Sequence, residues 1–367
     1  MFLESITTNN FRNLEPGKIN LSKDLTIISG NNAAGKSSVI EAIVFLLSGR
    51  SFRTTKQPTL ITHNTEVLSA FGQFSSGLRV GVGFNRVENK KIIKINGEII
   101  QSLSKIASIY PVQILCPESY HLVDSGPSER RKYLDWLLFH VEHNYHKEWA
   151  SFNKLLKQRN RCLKEQQYKR NSTVLDVWDI QFVRYAEAIT NKRTNILLRL
   201  KPLILKILNS LSFESVKDLS FSYYSGYTGS LKERLHESRE RDIAVGSTQY
   251  GPHKADLKIK VNGRMVKEVL SRGQKKILIN GLFISQTQQL KSETSKDSLF
   301  IIDDFSSELD ESNQASLLSA LRAQQNVQII LSCLHPAMLK PLVKGYNNVN
   351  MFHVEHGKIT QDIPGIE

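Results

Sequence analysis

The chain has 367 residues, 40% hydrophobic and 23% charged, which suits a folded protein with room for two lobes and a sizeable core. Its 49 Lys and Arg against 35 Asp and Glu leave a net charge of +14, which points to a polyanionic partner, nucleic acid first, with a merely solvated basic surface as the plain alternative. The apolar run Ala42–Leu47 is far short of a membrane span, Met1–Asn13 has neither region of a secretory signal, and the scattered Cys116, Cys162 and Cys333 argue against a cysteine-based metal site, so a reducing cytoplasm is expected.

The first chemistry-bearing segment is LTIISG-NNAA-GKSSVIEAIVFLL: an apolar strand, a glycine-bounded loop and a helix. Gly30, Gly35, Lys36 and Ser37 fit the phosphate-loop spacing G-x-x-x-x-G-K-[ST] in the strand–loop–helix context that motif needs. Along Gly30, Asn31, Asn32, Ala33, Ala34 and Gly35, continuing into Ser38, successive amides are expected to wrap the α- and β-phosphates of ATP or GTP. Lys36 then reaches the β/γ-phosphates and the Ser37 hydroxyl ligates Mg2+. A glycine turn that binds nothing is the bland alternative.

Up to Pro127 the pattern predicts strands: VLSAFGQF, LRVGVGF, and the hairpin IIKINGEII turning on Asn96-Gly97. From Ser128, read as an N-cap after Pro127, to about Ser212 the pattern is helical. Trp178, Phe182, Tyr185, Ala186 and Ile189 make one apolar stripe, and Trp149, Phe152 and Leu156 make another. The polar segment Glu165–Thr173 between them reads as the mobile tip of a helical hairpin, a much abbreviated coiled coil. After Val245 the α/β pattern resumes with ADLKIKVNGRMV, a second hairpin turning on Asn262-Gly263.

LFIIDD reads as a buried parallel strand ending in two carboxylates. Asp303 is placed to hold Mg2+ as a Walker B aspartate, and Asp304 is the candidate general base for the attacking water, with a surface pair capping a turn as the alternative. Most of the chain separates Lys36 from Asp303, which is too far for a compact GTPase or nucleotide kinase. Inside that gap Ser271, Arg272, Gly273 and Gln274 match the ABC-type signature S-x-G-Q at a helix start, an anion site in its own right. An ordinary N-capped helix would carry the same four letters. Ser306–Asp310 follows as a matching D-loop at a subunit interface. His335 lies two residues beyond the place of a switch histidine, where Ser332 or Cys333 stands, and Gln113 with Glu118 mark a candidate Q-loop region.

Together these residues resemble the RecF family, bacterial DNA replication and repair ATPases of the SMC-like ABC class. FRNLEPGKINL, GNNAAGKSSVIEAI, GRSFRT, PESYHLVDSGPSERRKYLD, YGPHKADL, LSRGQKK and LFIIDDFSSELD carry the resemblance over most of the chain, and GRSFRT and GPHKADL set it apart from generic ABC proteins. The resemblance implies an α/β ABC-type P-loop ATPase head with mixed sheets, formed by residues 1–127 and 246–367. An inserted helical lobe, residues 128–245, carries the short antiparallel hairpin. It also implies an ATP-dependent homodimer on single-stranded or gapped DNA, in which Ser271, Gly273 and Gln274 contact the γ-phosphate held by the other subunit. RecR and RecO are the implied partners, with recombinase loading and the SOS response as the implied setting. An aspartate at position 304, where many ABC enzymes have glutamate, stands further from the water and implies slow hydrolysis.

Sequence-tolerant DNA contacts must be basic. The richest segment is Lys154, Lys157, Arg159, Arg161, Lys164, Lys169 and Arg170, opposed only by Glu165, with Arg50, Arg53 and Lys56 as a second patch; solvated helix faces are the alternative for each. His140, His143 and His146 fan over roughly 120° of a helix and, like His353 and His356, read as surface histidines rather than metal ligands. A transporter-type ABC ATPase subunit, a structural chromosome-organising head and an ATP-dependent nuclease of the overcoming-lysogenisation type remain rivals. Respectively they call for a membrane-docking surface, a long coiled coil and a nuclease domain after Asp303.

Overall fold

The computed structural model describes residues 1–165, 174–305 and 310–362. Its contacts divide the chain into two compact units, Met1–Ser119 with Asn280–Glu367, and Tyr120–Ile279. The expected boundaries at 127/128 and 245/246 therefore move outward, because the segments flanking the helices pack with them.

In chain order the first unit opens with β1 (Leu3–Asn9), β2 (Gly17–Asn20), β3 (Leu25–Ser29) and α1 (Lys36–Ser48). It continues through β4 (Val67–Phe74), β5 (Arg79–Asn85), β6 (Lys90–Ile95), β7 (Glu98–Ile99), α2 (Leu103–Ile109) and β8 (Val112–Leu115). The second unit runs through α3 (His121–Asp124), α4 (Pro127–Val141), α5 (Tyr145–Lys164), α6 (Val174–Ser210) and β9 (Leu219–Tyr224). It then adds α7 (Leu231–Glu237), α8 (Arg239–Val245), β10 (Asp256–Val261), β11 (Arg264–Met265), α9 (Val266–Val269) and the start of α10 (Arg272–Thr294). The chain closes with β12 (Ser298–Ile302), α11 (Glu311–Arg322), β13 (Val327–Cys333), α12 (Lys340–Val343), β14 (Val349–Glu355) and β15 (Lys358–Asp362).

Two six-stranded sheets build the first unit. One is antiparallel, in the order β2-β1-β4-β5-β6-β7; its buried positions alternate along β4 and β5, as a sheet with one wet face requires. The other has the order β15-β14-β3-β13-β12-β8 and is parallel except for β15. Its central strands β3 and β12 are buried at every residue, which is why LTIIS and SLFII read as continuous apolar runs. α1 packs its apolar residues Val39, Ile40, Ile43 and Phe45 into the core of this unit. Both Asn-Gly hairpins form, with Asn96 and Gly97, and Asn262 and Gly263, all at positive φ.

The second unit departs from a purely helical lobe. The segment Leu219–Tyr224 alternates buried and exposed residues and pairs with β10, which in turn pairs with β11, giving a three-stranded sheet that the reading of a helical insertion lacked. α4 starts one residue earlier than expected: Gly126 is the N-cap and Pro127 takes the first helical position, where its missing N–H costs nothing. α5 and α6 pack as the expected hairpin, with Phe152 and Phe182 rings 5.0 Å apart, while Trp149 stays 42% exposed instead of joining the stripe. The tip, 166–173, lies outside the described residues.

Arg159 corrects the hairpin's basic face. It is fully buried, not a surface cation: Nε donates to Asp179 at 2.6 Å, and Nη1 donates to Asp242 at 2.7 Å and Thr248 at 2.8 Å. Burial raises the Asp242 carboxyl, and the Arg159 charge opposes that shift. Removing one partner of such a pair leaves the others buried and uncompensated. Arg159→Ala is thus expected to lower stability by about 3–5 kcal/mol, read as a drop in the denaturation midpoint; an unchanged midpoint would refute the buried network.

Candidate nucleotide-binding site

The phosphate loop leaves β3 at Gly30 and enters α1 at Lys36. Gly30 has φ 148°, and a Cβ there would stand 2.3 Å from the Val354 carbonyl oxygen on β14, so only glycine lets the loop pass so close to that strand. Behind the loop, Gly357 donates its amide to the Ala34 carbonyl at 2.9 Å, and a Cβ on Gly357 would meet the Asn13 carbonyl oxygen at 1.8 Å. Asn13 closes the arrangement by accepting from the Ser38 hydroxyl at 2.9 Å. The loop is thus held from two directions, by the Asn13 segment and by the β14–β15 turn. Lys36 Nζ donates to the carbonyls of Gly30 at 2.7 Å and Asn31 at 2.9 Å, so the ammonium sits over the loop. Asn31, Asn32 and Ala33 are exposed on the loop's crest, and Ala34 and Gly35 are buried beneath it.

Asp303 follows β12 directly, and its Oδ1 accepts from Ser37 at 3.1 Å and from Ser332 at 2.7 Å. The sheet order explains this. β13 lies between β3 and β12, so Ser332, near the end of β13, stands between the two expected metal-binding residues. Ser332 Oγ also accepts from the Asp304 amide at 2.8 Å, fixing a backbone turn in which Asp304 has φ 60°. Burial raises the Asp303 carboxyl above the usual carboxylate range; the hydrogen bonds from Ser332 and Ser37 and the charge of Arg53 pull it back, and Asp304 pushes it up. Ser37 Oγ and Asp303 Oδ1 are paired hard oxygen donors, the set that Mg2+ takes.

Ser332 was visible in sequence only as the residue standing where a switch histidine was sought, and His335 is exposed. Gln113 is spent inside the fold, donating to Gln286 at 3.1 Å, whereas Glu118 is exposed beyond the end of β8. His353, set aside as a surface residue, is half-buried opposite Ser29, with Nδ1 3.2 Å from its hydroxyl, next to the loop's first glycine. His140 is buried against Trp136 and Phe139 rather than on the surface, while His143, His146 and His356 are exposed. No cluster of three or more metal-ligating His, Cys, Asp or Glu occurs among the described residues.

Beneath the loop, Glu41 on α1 is fully buried and grips Arg12 in a two-point pair at 2.8 and 2.9 Å. The Ser51 hydroxyl also donates to Glu41, which ties the Gly49–Thr54 loop to α1. Arg50, Arg53 and Lys56 are exposed on and beside that loop, and Arg53 lies within electrostatic reach of Asp303. On the other unit Lys154, Lys157, Arg161 and Lys164 are exposed, Arg161 pairing with Glu165 at 2.7 Å; Lys169 and Arg170 lie outside the described residues.

Ser271 caps α10 in a reciprocal box: its amide donates to Gln274 Oε1 at 3.0 Å, and the Gln274 amide donates to Ser271 Oγ at 3.3 Å. Ser271, Arg272 and Gly273 are exposed, so this helix start is open to an external anion. Ser306–Leu309 of the expected D-loop lie outside the described residues, and Asp310 caps α11 by accepting from the Asn313 amide at 2.8 Å.

The family described as RecF/RecN/SMC N terminal domain matches residues 2–360. The DNA replication and repair protein RecF of Pseudoalteromonas translucida is 38% identical over 367 residues, covering 98% of this chain and 99% of that protein. The protein of the same name from Hahella chejuensis is 34% identical over 377 residues, with 98% and 99% covered. Among solved structures, the recombination mediator protein RecF with ATP, of the RecFOR pathway, superposes with a TM-score of 0.86 at 29% identity, covering 99% of this chain and 98% of that one. The Pyrococcus furiosus Smc head bound to the C-terminal domain of ScpA shares the fold, with a TM-score of 0.60 at 16% identity over 98% of this chain and 96% of that one.

A carboxylate must be ionised to hold a divalent cation, so the raised Asp303 carboxyl predicts that magnesium-dependent nucleotide binding fails on the acid side at a higher pH than an ordinary aspartate would impose. Ser332→Ala removes a bond that favours the ionised form and is expected to move that acid limb further up. A pH series with a fluorescent nucleoside triphosphate checks it; an unmoved or lowered limb would contradict the role given to Ser332.

Proposed function

Because the chain belongs to the RecF/RecN/SMC N-terminal domain family, and within it to the RecF proteins, we propose that it is an ATP-switched DNA-binding protein of recombinational repair and replication. The observation that carries this reading is the meeting of Ser37 and Asp303 at 3.1 Å beside Lys36 on a phosphate loop, with most of the chain between them in sequence. The loop amides from Gly30 to Ser38 take the α- and β-phosphates, Lys36 the β/γ-phosphates, and Ser37 with Asp303 would hold Mg2+, which supplies charge neutralisation on the phosphates. Asp304, on its positive-φ turn, orients and deprotonates the attacking water; its short side chain makes hydrolysis slow.

Ser271, Gly273 and Gln274 of one protomer complete the γ-phosphate site of a second copy, so two ATP molecules join two chains. The exposure of that helix start supports the arrangement. DNA, single-stranded or gapped and read without sequence preference, is the polyanion that the charge of +14 meets, through Arg50, Arg53, Lys157, Arg161 and Lys164. The RecFOR pathway named for the solved RecF relatives supports RecO and RecR as partners, and recombinase loading with the SOS response is the setting proposed with them. All three cysteines are free and buried, and no helix among the described residues is long and apolar enough to cross a membrane, which supports a cytoplasmic protein working away from membranes.

Light scattering with and without ATP tests the switch. The wild type is expected to dimerise with ATP, and Asp304→Asn to hold the dimer longer. Lys36→Ala is expected to weaken ATP binding roughly 10- to 150-fold, the worth of a hydrogen bond to a charged group, and to lose the dimer. A wild-type chain that stays monomeric at saturating ATP would overturn the reading.

A further inference from the structure

Two segments that the nucleotide site leaves unused, GPSERRKYLD and YGPHKADL, meet in the second unit. Arg130 grips Asp256 at 2.7 and 3.2 Å, Arg131 donates to the Ala255 carbonyl at 2.7 Å, and Arg193 joins Asp135 at 2.7 and 2.8 Å while donating to the Pro252 carbonyl at 2.8 Å. Beside these bonds lies an open cavity of about 220 Å³. Phe152, Ile189 and Pro252 give it apolar lining, and the 42%-exposed Trp149 adds an aromatic surface that the fold leaves uncovered.

The charge in the cavity is unbalanced toward positive. Arg131, Lys132 and Arg193 line it against one carboxylate, Asp135, which Arg193 already engages. Lys132 is exposed and, among the described residues, pairs with Glu129 of its own helix, which is half-buried, and such surface pairs exchange readily for another anion. Burial, and then the neighbouring Arg193 charge, hold Arg131 below the usual arginine range, and burial holds His253 near a pKa of about 4, so the histidine adds no charge at neutral pH. An anion in the cavity would relieve the repulsion between the two guanidinium groups.

We propose that this cavity receives one unpaired nucleobase, stacked on Trp149, with its phosphate held by Arg131 and Lys132. The size fits a base and falls short of the roughly 300 Å³ and more of free-ligand pockets, which disfavours a soluble nucleotide cofactor. What selects nucleic acid over an acidic peptide is the helix that carries Trp149. At 100° per residue, Asn153 and the exposed Lys157 and Lys164 lie within roughly 80° of its direction, so two cations and a neutral amide are spaced over about 22 Å of α5 from the cavity, along the edge of its buried face. A backbone along that edge with a base turned into the aromatic site is the stacking-plus-phosphate chemistry of single-strand binders. A paired base cannot enter, so the site reads strandedness. This inference rests on the DNA-binding reading above and names a contact for it.

The test titrates the full chain, with ATP, against a fluorescein-labelled oligothymidine and a hairpin duplex of equal length, by anisotropy. Trp149→Ala is expected to weaken the single strand about 5- to 150-fold, the worth of one base–aromatic stack, and to leave the duplex unchanged. Trp149→Phe is expected to restore most of the loss, and Lys132→Gln to lower the salt slope by about one. A thermal melt verifies that each variant folds. If the wild type binds both oligonucleotides and Trp149→Ala loses neither, or loses both equally, the cavity assignment fails while DNA binding stands. Wild-type binding of neither oligonucleotide would fell the DNA-binding reading and this inference with it. A tryptophan-fluorescence change that Trp149→Ala abolishes, produced by an acidic, phenylalanine-bearing peptide but not by oligothymidine, would hand the cavity to a protein partner.

Discussion

One carboxylate oxygen, Asp303 Oδ1, joins the strand ends of the parallel sheet beside the phosphate loop. It accepts from a hydroxyl at the start of α1 and from another on β13, and so ties the ends of β3, β13 and β12 to a common point. The constraint is electrostatic as much as geometric. A buried carboxylate is tolerable only where donors surround it. The same donors that favour its ionised form fix where a cation would sit. Ser332 does this twice, once through its proton to Asp303 and once through its lone pair to the Asp304 amide. A short hydroxyl between two strand ends would make a cation site here rigid before any cation arrived.

What was legible in the sequence is what short-range chemistry dictates. The phosphate loop needs glycine where the backbone turns to positive φ, and Asn-Gly pairs are nearly obligatory in tight hairpins, so both announce themselves in a few letters. Strands buried on both faces spell continuous apolar runs, which located β3 and β12 and, from the latter, the aspartate pair. The rest depends on partners distant in the chain. Nothing near Arg159 signals that Asp179, Asp242 and Thr248 will enclose it, and a lysine- and arginine-rich helix reads as a solvated face until the pairing is known. Trp149 misled in the opposite sense: its spacing with Phe152 fits a packed stripe, yet the packing stops one residue short.

The same distance effect hid β9. Its alternation is clear once Leu219–Val261 pairing is drawn, but the strand needs β10, far down the chain, to satisfy its backbone, and without that partner LSFSYY is an ambiguous run. In sequence His353 reads as a surface residue, and Asn13 is given no role, for a related reason. Each earns its place beside the phosphate loop through a neighbouring strand or turn, not through any motif of its own.

In the proposed dimer, the start of α10 bears on how firmly two copies would hold each other. Ser271 and Gln274 already satisfy one another's amides, so an incoming oxyanion would compete with that lock for these two groups while the amides of the exposed Arg272 and Gly273 stand beside it. Engagement at Ser271 and Gln274 would swap bonds of similar worth, and the net gain from those two groups would stay small. A clasp of this kind would close only when both of its halves engaged together, and would let go as the Ser271–Gln274 box reformed.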